Sequence, residues 1–409
     1  MIASIDALFS FLSNAIYVLA WFFVPVFLIV LWWRVRLIYK RAAFLAKVEW
    51  VLLEMQMPAN NEKTPKAMEQ VFASLYGMYS FGVQPLPKYL EGKVDLWASF
   101  EMMGKGGEMR FFVRFPSQYR NLVESAIYSQ YPDVELEEVI DYMEDLPTIL
   151  PNDVYDIFGT GFGLTKNSVY PIRTYFHFED PKEERRLDPL SSIVEAMSKL
   201  KNDETAIIQV LFSPTGALTG FDLKKKAEEE IQKIVDEKSP KRTDSGGNEF
   251  SAGMIGLSEG YRNVVKDIEA KAAKLAFQVS LRFLYIDRKD SFSPLNNAAI
   301  MGSFQQFNTV NENAFKPDKF MTIFGGWKAK VFPFYKRYKL LSKKRRLYDA
   351  IRTRRFGYSN RLSDEGLPVL NVEELATLFH FPSWVVKAPS LRMHASRKSG
   401  PPTNLPIEE

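Results

Sequence analysis

An unbroken apolar run lies near the start of the chain. Nineteen uncharged and almost entirely apolar residues make up Ala15–Trp33, AIYVLAWFFVPVFLIVLWW, which is about the length that an α-helix needs to cross the hydrocarbon core of a membrane. We therefore predict a transmembrane helix. Pro25 is compatible with it because transmembrane helices tolerate proline, and Trp21, Trp32 and Trp33 are typical of the aromatic belt at a membrane interface.

The alternatives are a cleaved signal peptide and a buried helix of a soluble protein. The run is longer than the apolar part of a typical signal peptide, follows Asp6 instead of basic residues, and has no small-residue cleavage site after it. No Lys or Arg precedes the run, and five closely follow it: Arg34, Arg36, Lys40, Arg41 and Lys47. The positive-inside rule then predicts an outside N-terminus and a cytoplasmic C-terminal part.

The helical pattern continues beyond the run. Leu37, Phe44, Val48 and Val51 recur at helical spacing until Pro58. This pattern predicts that residues 1–57 form one transmembrane helix with a juxtamembrane stalk.

Strands and helices alternate over residues 58–220. In RFFVRF, Phe111, Val113 and Phe115 alternate with residues of the other face, which is the pattern of a half-buried strand. We predict further strands at DLWASFEMM, VELEEV, YPIRTYFHFED and ETAIIQVLF. The predicted helices are TPKAMEQVFASLYGMY, the segment from Ser117 to Tyr131, and DPLSSIVEAMSKL. This order is typical of a ferredoxin-like α+β sandwich.

A second round follows after a charged helix and a flexible loop at 221–257. The helices EGYRNVVKDIEAKAAKLA and SPLNNAAIMGSFQQF flank the strand FQVSLRFLYI, which predicts a second α+β unit at 258–326. A basic helical segment with a C-terminal helix at 327–395 and a Pro-rich tail at 396–409 complete the chain. The predicted fold class is α+β, with a transmembrane helix, ferredoxin-like sandwich units and a C-terminal basic helical segment.

The amino-acid composition limits which ligands and reactions the chain can support. The chain is 46% apolar and 25% charged, which is typical of globular proteins. It contains no cysteine, and its three histidines are scattered, so we predict no metal and no cofactor. A net charge of +4 is small for 409 residues, so attraction to phosphate requires local clusters of basic residues.

Two Gly-rich stretches invite a nucleotide-binding interpretation. GTGFGLTKNS lacks the spacing of a P-loop, because Lys166 lies three residues after Gly163, and we predict a Gly-rich loop there. GKGG at Gly104–Gly107 is predicted to be a hairpin turn. The carboxylates of VELEEVIDYMEDLP are predicted to lie on a solvated strand edge. With no catalytic motif in the sequence, we predict a protein that is not an enzyme.

The strongest charge signal is Trp327–Tyr358. It contains twelve Lys or Arg residues and one acid, Asp349, interleaved with aromatic residues and an apolar stripe. We interpret it as a basic amphipathic helix after a short aromatic strand. Its roles could be binding anionic lipid, binding nucleic acid, or simply a solvated face. The candidate ligand-binding residues are Lys336, Arg337, Lys339, Lys343, Lys344, Arg345, Arg346, Arg352, Arg354 and Arg355.

Three long stretches carry a family resemblance. They are KTPKAMEQVFASLYG, EMRFFVRFPSQYRNLVESAIYSQYPDVELEEV and LNVEELATLFHFPSWVVKAPSLRMHASRKSGPPTNLP. They resemble the N-terminal region of membrane-bound proteins from bacteria of small-genome candidate phyla. Those proteins are type IV secretion or conjugative DNA-transfer ATPases, in which the Pro-rich segment leads into a P-loop motor domain of the coupling-protein type.

The resemblance implies a place in the bacterial inner membrane and a DNA-translocating partner. This sequence has no Walker A or Walker B motif, so no residue can be assigned to ATP hydrolysis. We expect a non-catalytic membrane component that anchors or docks a separate P-loop ATPase. The alternative is a membrane-tethered module that binds nucleic acid or anionic lipid without a motor. The expected partners are the lipid bilayer, the ATPase, DNA and further copies of the chain.

Overall fold

The structure is a computed structural model of the chain. It describes residues 2–58, 61, 63–79, 86–178, 187–216, 222–239, 241–243, 249–251, 253–309, 311–318, 333–357, 367–382 and 393–394. Among these residues, one compact unit comprises 2–49 and 86–95, and a second unit comprises the remainder. The predicted aromatic strand before residue 333 and the predicted tail at 396–409 lie outside the described residues.

The first unit consists of one long helix and one short turn. Helix α1 runs from Ile2 to Leu45, and a single π-helical turn at Pro87–Glu91 contacts it. The predicted helical stalk up to Pro58 is wrong, because strand β1 occupies Trp50–Pro58.

The first half of the sheet is a ferredoxin-like unit. Its elements in chain order are β1, α2 (Pro65–Leu75), β2 (Ala98–Lys105), β3 (Glu108–Pro116), α3 (Arg120–Gln130) and β4 (Glu135–Glu138). The strands lie in the order β4-β1-β3-β2, and every pair is antiparallel. The predicted hairpin turn is confirmed, since Gly106 and Gly107 both have positive φ between β2 and β3.

The second half repeats this plan with an insertion. Its elements in chain order are β5 (Tyr155–Leu164), α4 (Ser191–Ser198), β6 (Thr205–Pro214), α5 (Leu223–Lys238), β7 (Lys241–Thr243), β8 (Glu249–Ser251), α6 (Glu259–Ala272), β9 (Ala276–Arg288), α7 (Pro294–Ser303) and β10 (Phe315–Pro317). The strand order β10-β5-β9-β6 matches that of the first half. The insertion comprises α5, the hairpin β7–β8, and α6, and it stands where the first half has its hairpin turn.

The two halves form one continuous sheet. Strand β2 pairs with β6 in antiparallel register from Ala98↔Phe212 to Lys105↔Thr205. The α+β class is confirmed, but the predicted boundaries are wrong. The repeats extend over 50–138 and 155–317, instead of 58–220 and 258–326.

Two local predictions also fail. The predicted strand YPIRTYFHFED holds only the short 3₁₀ turn Tyr175–His177 among its described residues. The predicted Gly-rich loop begins as strand, because β5 extends to Leu164. At Gly159 a side chain would collide with β9 and with a helix lying on the sheet, which explains a glycine inside a strand.

Both faces of the sheet are covered. Helices α2, α3, α4 and α7 pack on one face, where residues such as Phe72, Phe100 and Phe212 form the main core. Helix α8 (Pro333–Arg352) packs on the other face. Strand β11 (Val369–Asn371) then pairs with β9 and leads into helix α9 (Val372–Leu378), which joins the main core, and β12 (Met393–His394) pairs with β1.

Candidate functional site

The basic helix α8 is part of a hydrophobic core. Its side chains Leu347, Ala350 and Ile351 are fully buried, and they share a cluster with Ile207 of β6 and Leu284 of β9. Burial of one face is what the apolar stripe in the basic segment predicts. The helix is therefore held on the sheet by its apolar residues, and only its other side is free to meet a ligand.

Polar groups of the sheet hold the C-terminal end of α8. The Arg282 guanidinium on β9 donates to the carbonyl oxygen of Ala350 at 2.9 Å, and the Gln209 amide on β6 donates to that of Ile351 at 3.2 Å. The last carbonyls of a helix lack partners within the helix, and they carry partial negative charge. A buried cation and an amide at this end therefore fix where α8 stops.

Arg354 lies two residues after the end of α8 and is only 1% exposed. Its Nε lies 2.9 Å from Oε1 of Glu101, and its Nη2 lies 2.9 Å from Oδ1 of Asp141. The Ser99 hydroxyl donates to Glu101 at 2.6 Å, and the Tyr142 hydroxyl donates to the same carboxylate. A cation, two carboxylates and two hydroxyls thus form one closed network under the end of α8.

The network fixes the charge states of its members. Burial alone would raise the pKa of Glu101, but the Arg354 charge and the hydrogen bonds it accepts hold that pKa below its ordinary value. Burial, then the neighbouring Glu101 charge, raises the pKa of Tyr142 well above its ordinary value. Glu101 therefore stays ionised and Tyr142 stays neutral near pH 7, which suits a structural ion pair better than proton transfer.

Three of the predicted ligand-binding residues, Arg354, Lys344 and Arg355, form ion pairs with carboxylates of the same chain. The prediction is wrong for Arg354, because a guanidinium buried between two carboxylates cannot meet a ligand. Nζ of Lys344 lies 2.5 Å from Oδ1 of Asp156, and Nη2 of Arg355 lies 2.6 Å from Oδ2 of Asp349.

The other predicted residues differ in exposure. Arg345 and Arg346 are exposed, and in the described part of the chain neither forms an ion pair with a carboxylate. The half-buried members are Lys339, Lys343 and Arg352. Lys336 and Arg337 lie near the start of α8, with side chains outside the described part.

Like charges crowd the outer side of α8. Burial, followed by the neighbouring charges of Lys339 and Arg346, lowers the pKa of Lys343, which Asp318 partly opposes. The spacing of these three basic residues places them on one side of a helix. We use the name α8 basic face for these three residues and Arg345, which is exposed and lies about 100° around the helix from Arg346: Lys339, Lys343, Arg345 and Arg346.

The sequence did not reveal the buried polar residues around this site. Glu101 gave no signal, and the prediction of a solvated strand edge is wrong for Asp141, which lies beyond β4 and pairs with Arg354; for both carboxylates this partner is more than 200 positions away in the chain. Arg114 was also missed. Its guanidinium lies 4.1 Å from the ring centroid of Trp50, and burial, then the Arg354 charge, lowers its pKa to about 10. Alternating charged residues in a strand that has both faces covered would have been the available hint.

The predicted membrane residues lie on α1. Ala15, Trp21, Pro25, Trp32 and Trp33 are all within this helix, and the three tryptophan side chains are exposed. Within Ala20–Leu45 an 18-residue stretch has a mean hydropathy of 1.8, and the helix is, by length and composition, able to span a membrane. It is the one such helix among the described residues.

Acidic residues form no evident metal site in the described part of the chain. No group of three or more His, Asp or Glu side chains lies close enough to hold a metal ion there. Glu135 and Glu138 are exposed on β4 at the sheet edge, as expected from the sequence.

Most of the chain is similar to a known protein family. The model of one family matches residues 41–392, which is most of the chain. The protein belongs to the DUF8128 family, a domain of unknown function. The DUF8128 match begins at Arg41, after the apolar run of α1, and covers both repeats and α8. No curated protein matches the chain.

Proposed function

We propose that this protein is a non-catalytic, single-pass component of the bacterial inner membrane that docks a DNA-translocating P-loop ATPase of a type IV secretion-like system. The observation that carries the membrane part is the exposed apolar surface of α1. Large side chains from Trp21 to Trp33 face outward along the helix, which is costly in water and favourable in lipid.

Charge supports the orientation. Arg34, Arg36, Lys40 and Arg41 follow the apolar run, and no basic residue precedes it. Positive residues remain on the cytoplasmic side during insertion. The α+β unit would then lie in the cytoplasm, the compartment that contains ATP and a P-loop motor.

The sequence resemblance supports the docking role. The resembling stretches include α2, β3 and α3, so they belong to the folded part that would remain once the membrane helix is inserted. A covered sheet with two repeats offers rigid surfaces for a protein partner. The motor would supply the nucleotide chemistry.

Purification of the full chain from its own cells tests this proposal. The tagged chain, extracted in a mild detergent, should bring down a P-loop ATPase that a tagged, unrelated single-pass protein from the same membrane does not. Failure to recover any such ATPase contradicts the docking role. It does not contradict the proposal that α1 spans the membrane.

A second candidate function rests on the α8 basic face. Its exposed arginines, Arg345 and Arg346, would bind anionic lipid or nucleic acid without a motor. Replacing both with Ser should weaken binding to anionic vesicles or to DNA and reduce its salt dependence. The matched control is Lys224→Ser with Lys225→Ser, an exposed pair on α5. Equal effects of the two double variants, or no effect of either, contradict this candidate.

A further inference from the structure

A short turn lies against the basic end of α1. The turn, Leu86–Gly92, contains the π-helical residues and the residue on each side of them. Nη1 of Arg36 donates to the carbonyl oxygen of Tyr89 at 3.3 Å. Gly92 has φ of 74°, and a Cβ there would lie 2.5 Å from the carbonyl carbon of Lys40. Close backbone approach and a left-handed conformation both require glycine at this position.

These two contacts show which way the turn runs along α1. Between Tyr89 and Gly92 the contact moves from Arg36 to Lys40, which is about 6 Å along a helix at about 1.5 Å per residue. Helical side chains tilt toward the N-terminus, so the Arg36 guanidinium reaches back toward the apolar run. The start of the turn, at Leu86, is therefore directed toward Trp33, and its end is directed away.

The turn exposes large apolar side chains. Leu86 is 72% exposed, Tyr89 is 45% exposed and Leu90 is 47% exposed. Trp33 and Tyr39 on the neighbouring part of α1 are exposed as well. Three exposed large apolar residues within five positions cost free energy in water, in proportion to their apolar area.

The surrounding charges identify the surface that would cover these residues. Arg36 and Lys40 border the turn on α1, and Arg34 lies two positions before Arg36; such cations near the end of an apolar helix attract anionic headgroups. Aromatic residues beside cations are typical of the membrane–water interface. A lipid surface matches both the apolar and the basic groups and continues the apolar surface of α1.

We propose that the Leu86–Gly92 turn lies in the membrane interface beside α1, with Leu86, Tyr89 and Leu90 among the headgroups and upper acyl chains of an anionic bilayer. The inference rests on the proposed insertion of α1 and deepens it. The protein then meets the bilayer at α1 and at a turn about 50 residues later in the chain, and this second contact limits the tilt of α1 relative to the bilayer.

Single labels test the turn directly, because the chain has no cysteine of its own. Leu86→Cys and Leu90→Cys would each carry a polarity-sensitive fluorophore in the full chain, reconstituted in phosphatidylethanolamine–phosphatidylglycerol vesicles. Phe27→Cys on α1 serves as the reference for the span. Leu295→Cys, at an exposed leucine on α7, serves as the aqueous reference.

The fluorophores at positions 86 and 90 should have emission maxima at shorter wavelengths than the fluorophore at position 295. Lipids that carry a nitroxide close to the headgroup should quench the fluorescence at positions 86 and 90. Aqueous iodide should quench the label at 295 more strongly. Labels at 86 and 90 that behave like the one at 295, while the label at 27 is lipid-quenched, overturn the inference and leave the proposed function intact. A label at 27 that is quenched by iodide and not by lipid overturns both.

Discussion

Arg354 shows how far a residue's role can depart from its local sequence. It sits in a run of basic residues that reads as a binding patch, yet Glu101 and Asp141 enclose its guanidinium. Nothing near it in the chain separates it from Arg352 or Arg355. Only the fold brings the two carboxylates to it, so sequence patterns alone could not have assigned its role.

Replacing Arg354 tests that structural role. Arg354→Met leaves Glu101 and Asp141 without their cation, and breaking a buried ion pair in this way costs about 3–5 kcal/mol. Urea unfolding of the detergent-solubilised chain, followed by tryptophan fluorescence, measures the loss. Arg346→Met is the matched control, because an exposed substitution should change the free energy of unfolding by no more than about 0.5 kcal/mol. Equal stability of the two variants contradicts the assigned role.

Glu312 gives a pH-dependent prediction. Burial, reinforced by the neighbouring Asp267, raises the pKa of Glu312 from 4.5 to about 7. The folded protein therefore holds the Glu312 proton more tightly than the unfolded chain does. The contribution of this proton to the free energy of unfolding is full at pH values below the pKa that Glu312 has in the unfolded chain. It is lost as the pH rises through about 7.

The variant Glu312→Gln isolates this contribution because it cannot ionise. The free energy of unfolding of the parent, relative to the variant, should decline between about pH 5 and about pH 8. Thermal unfolding in matched buffers measures the two profiles. A difference that stays constant or grows with pH shows that Glu312 is not held protonated by the fold.

At the scale of elements, the strands with unusual patterns were the hardest to predict. Strand β1 buries residues on both sides, with Leu53 in the main core and Leu52 in the cluster under α8. Such a strand lacks alternation, and a short apolar run of this kind cannot be distinguished from a helix by its period. Strand β5 was hidden by its three glycines, of which Gly159 makes room for Leu347 of α8.

Gly159 lies where α8 crosses β5, so a substitution there tests how closely these two elements pack. A Cβ at Gly159 would meet the carbonyl oxygen of Phe283 and lie 2.8 Å from Cδ2 of Leu347. Gly159→Ala should therefore lower the free energy of unfolding by about 1–3 kcal/mol through overpacking.

The matched control is Gly302→Ala on α7, where nothing lies within 4 Å of an added Cβ. It should be neutral or stabilise the protein by up to about 1 kcal/mol. Urea unfolding of both variants provides the comparison. If Gly159→Ala is as stable as Gly302→Ala, α8 does not pack on β5 as closely as described.

At the scale of the whole molecule, the α+β fold class could be predicted from the sequence, and the joining of the two halves into one sheet could not. Alternating strand and helix patterns predicted ferredoxin-like units, and the strand order of each half agrees with that. The pairing of β2 with β6, which merges the halves, joins residues 100 or more positions apart. The insertion between β6 and β9 also displaced the second repeat from its predicted boundaries.

The central claim is that α1 crosses the membrane once and leaves the α+β unit in the cytoplasm. Because the chain has no cysteine, one introduced at an exposed residue reports the side on which it lies. The most direct measurement is labelling of Ile255→Cys, an exposed residue of that unit, with a membrane-impermeant maleimide. Asp6→Cys, which precedes the apolar run, is the opposite-side control.

In cells with a permeabilised outer membrane and an intact inner membrane, the maleimide should label the cysteine at position 6. The cysteine at position 255 should stay unlabelled until the inner membrane is broken. Inverted membrane vesicles should show the reverse. Labelling of position 255 in intact cells would place the α+β unit outside, away from ATP and the motor, and would contradict the account.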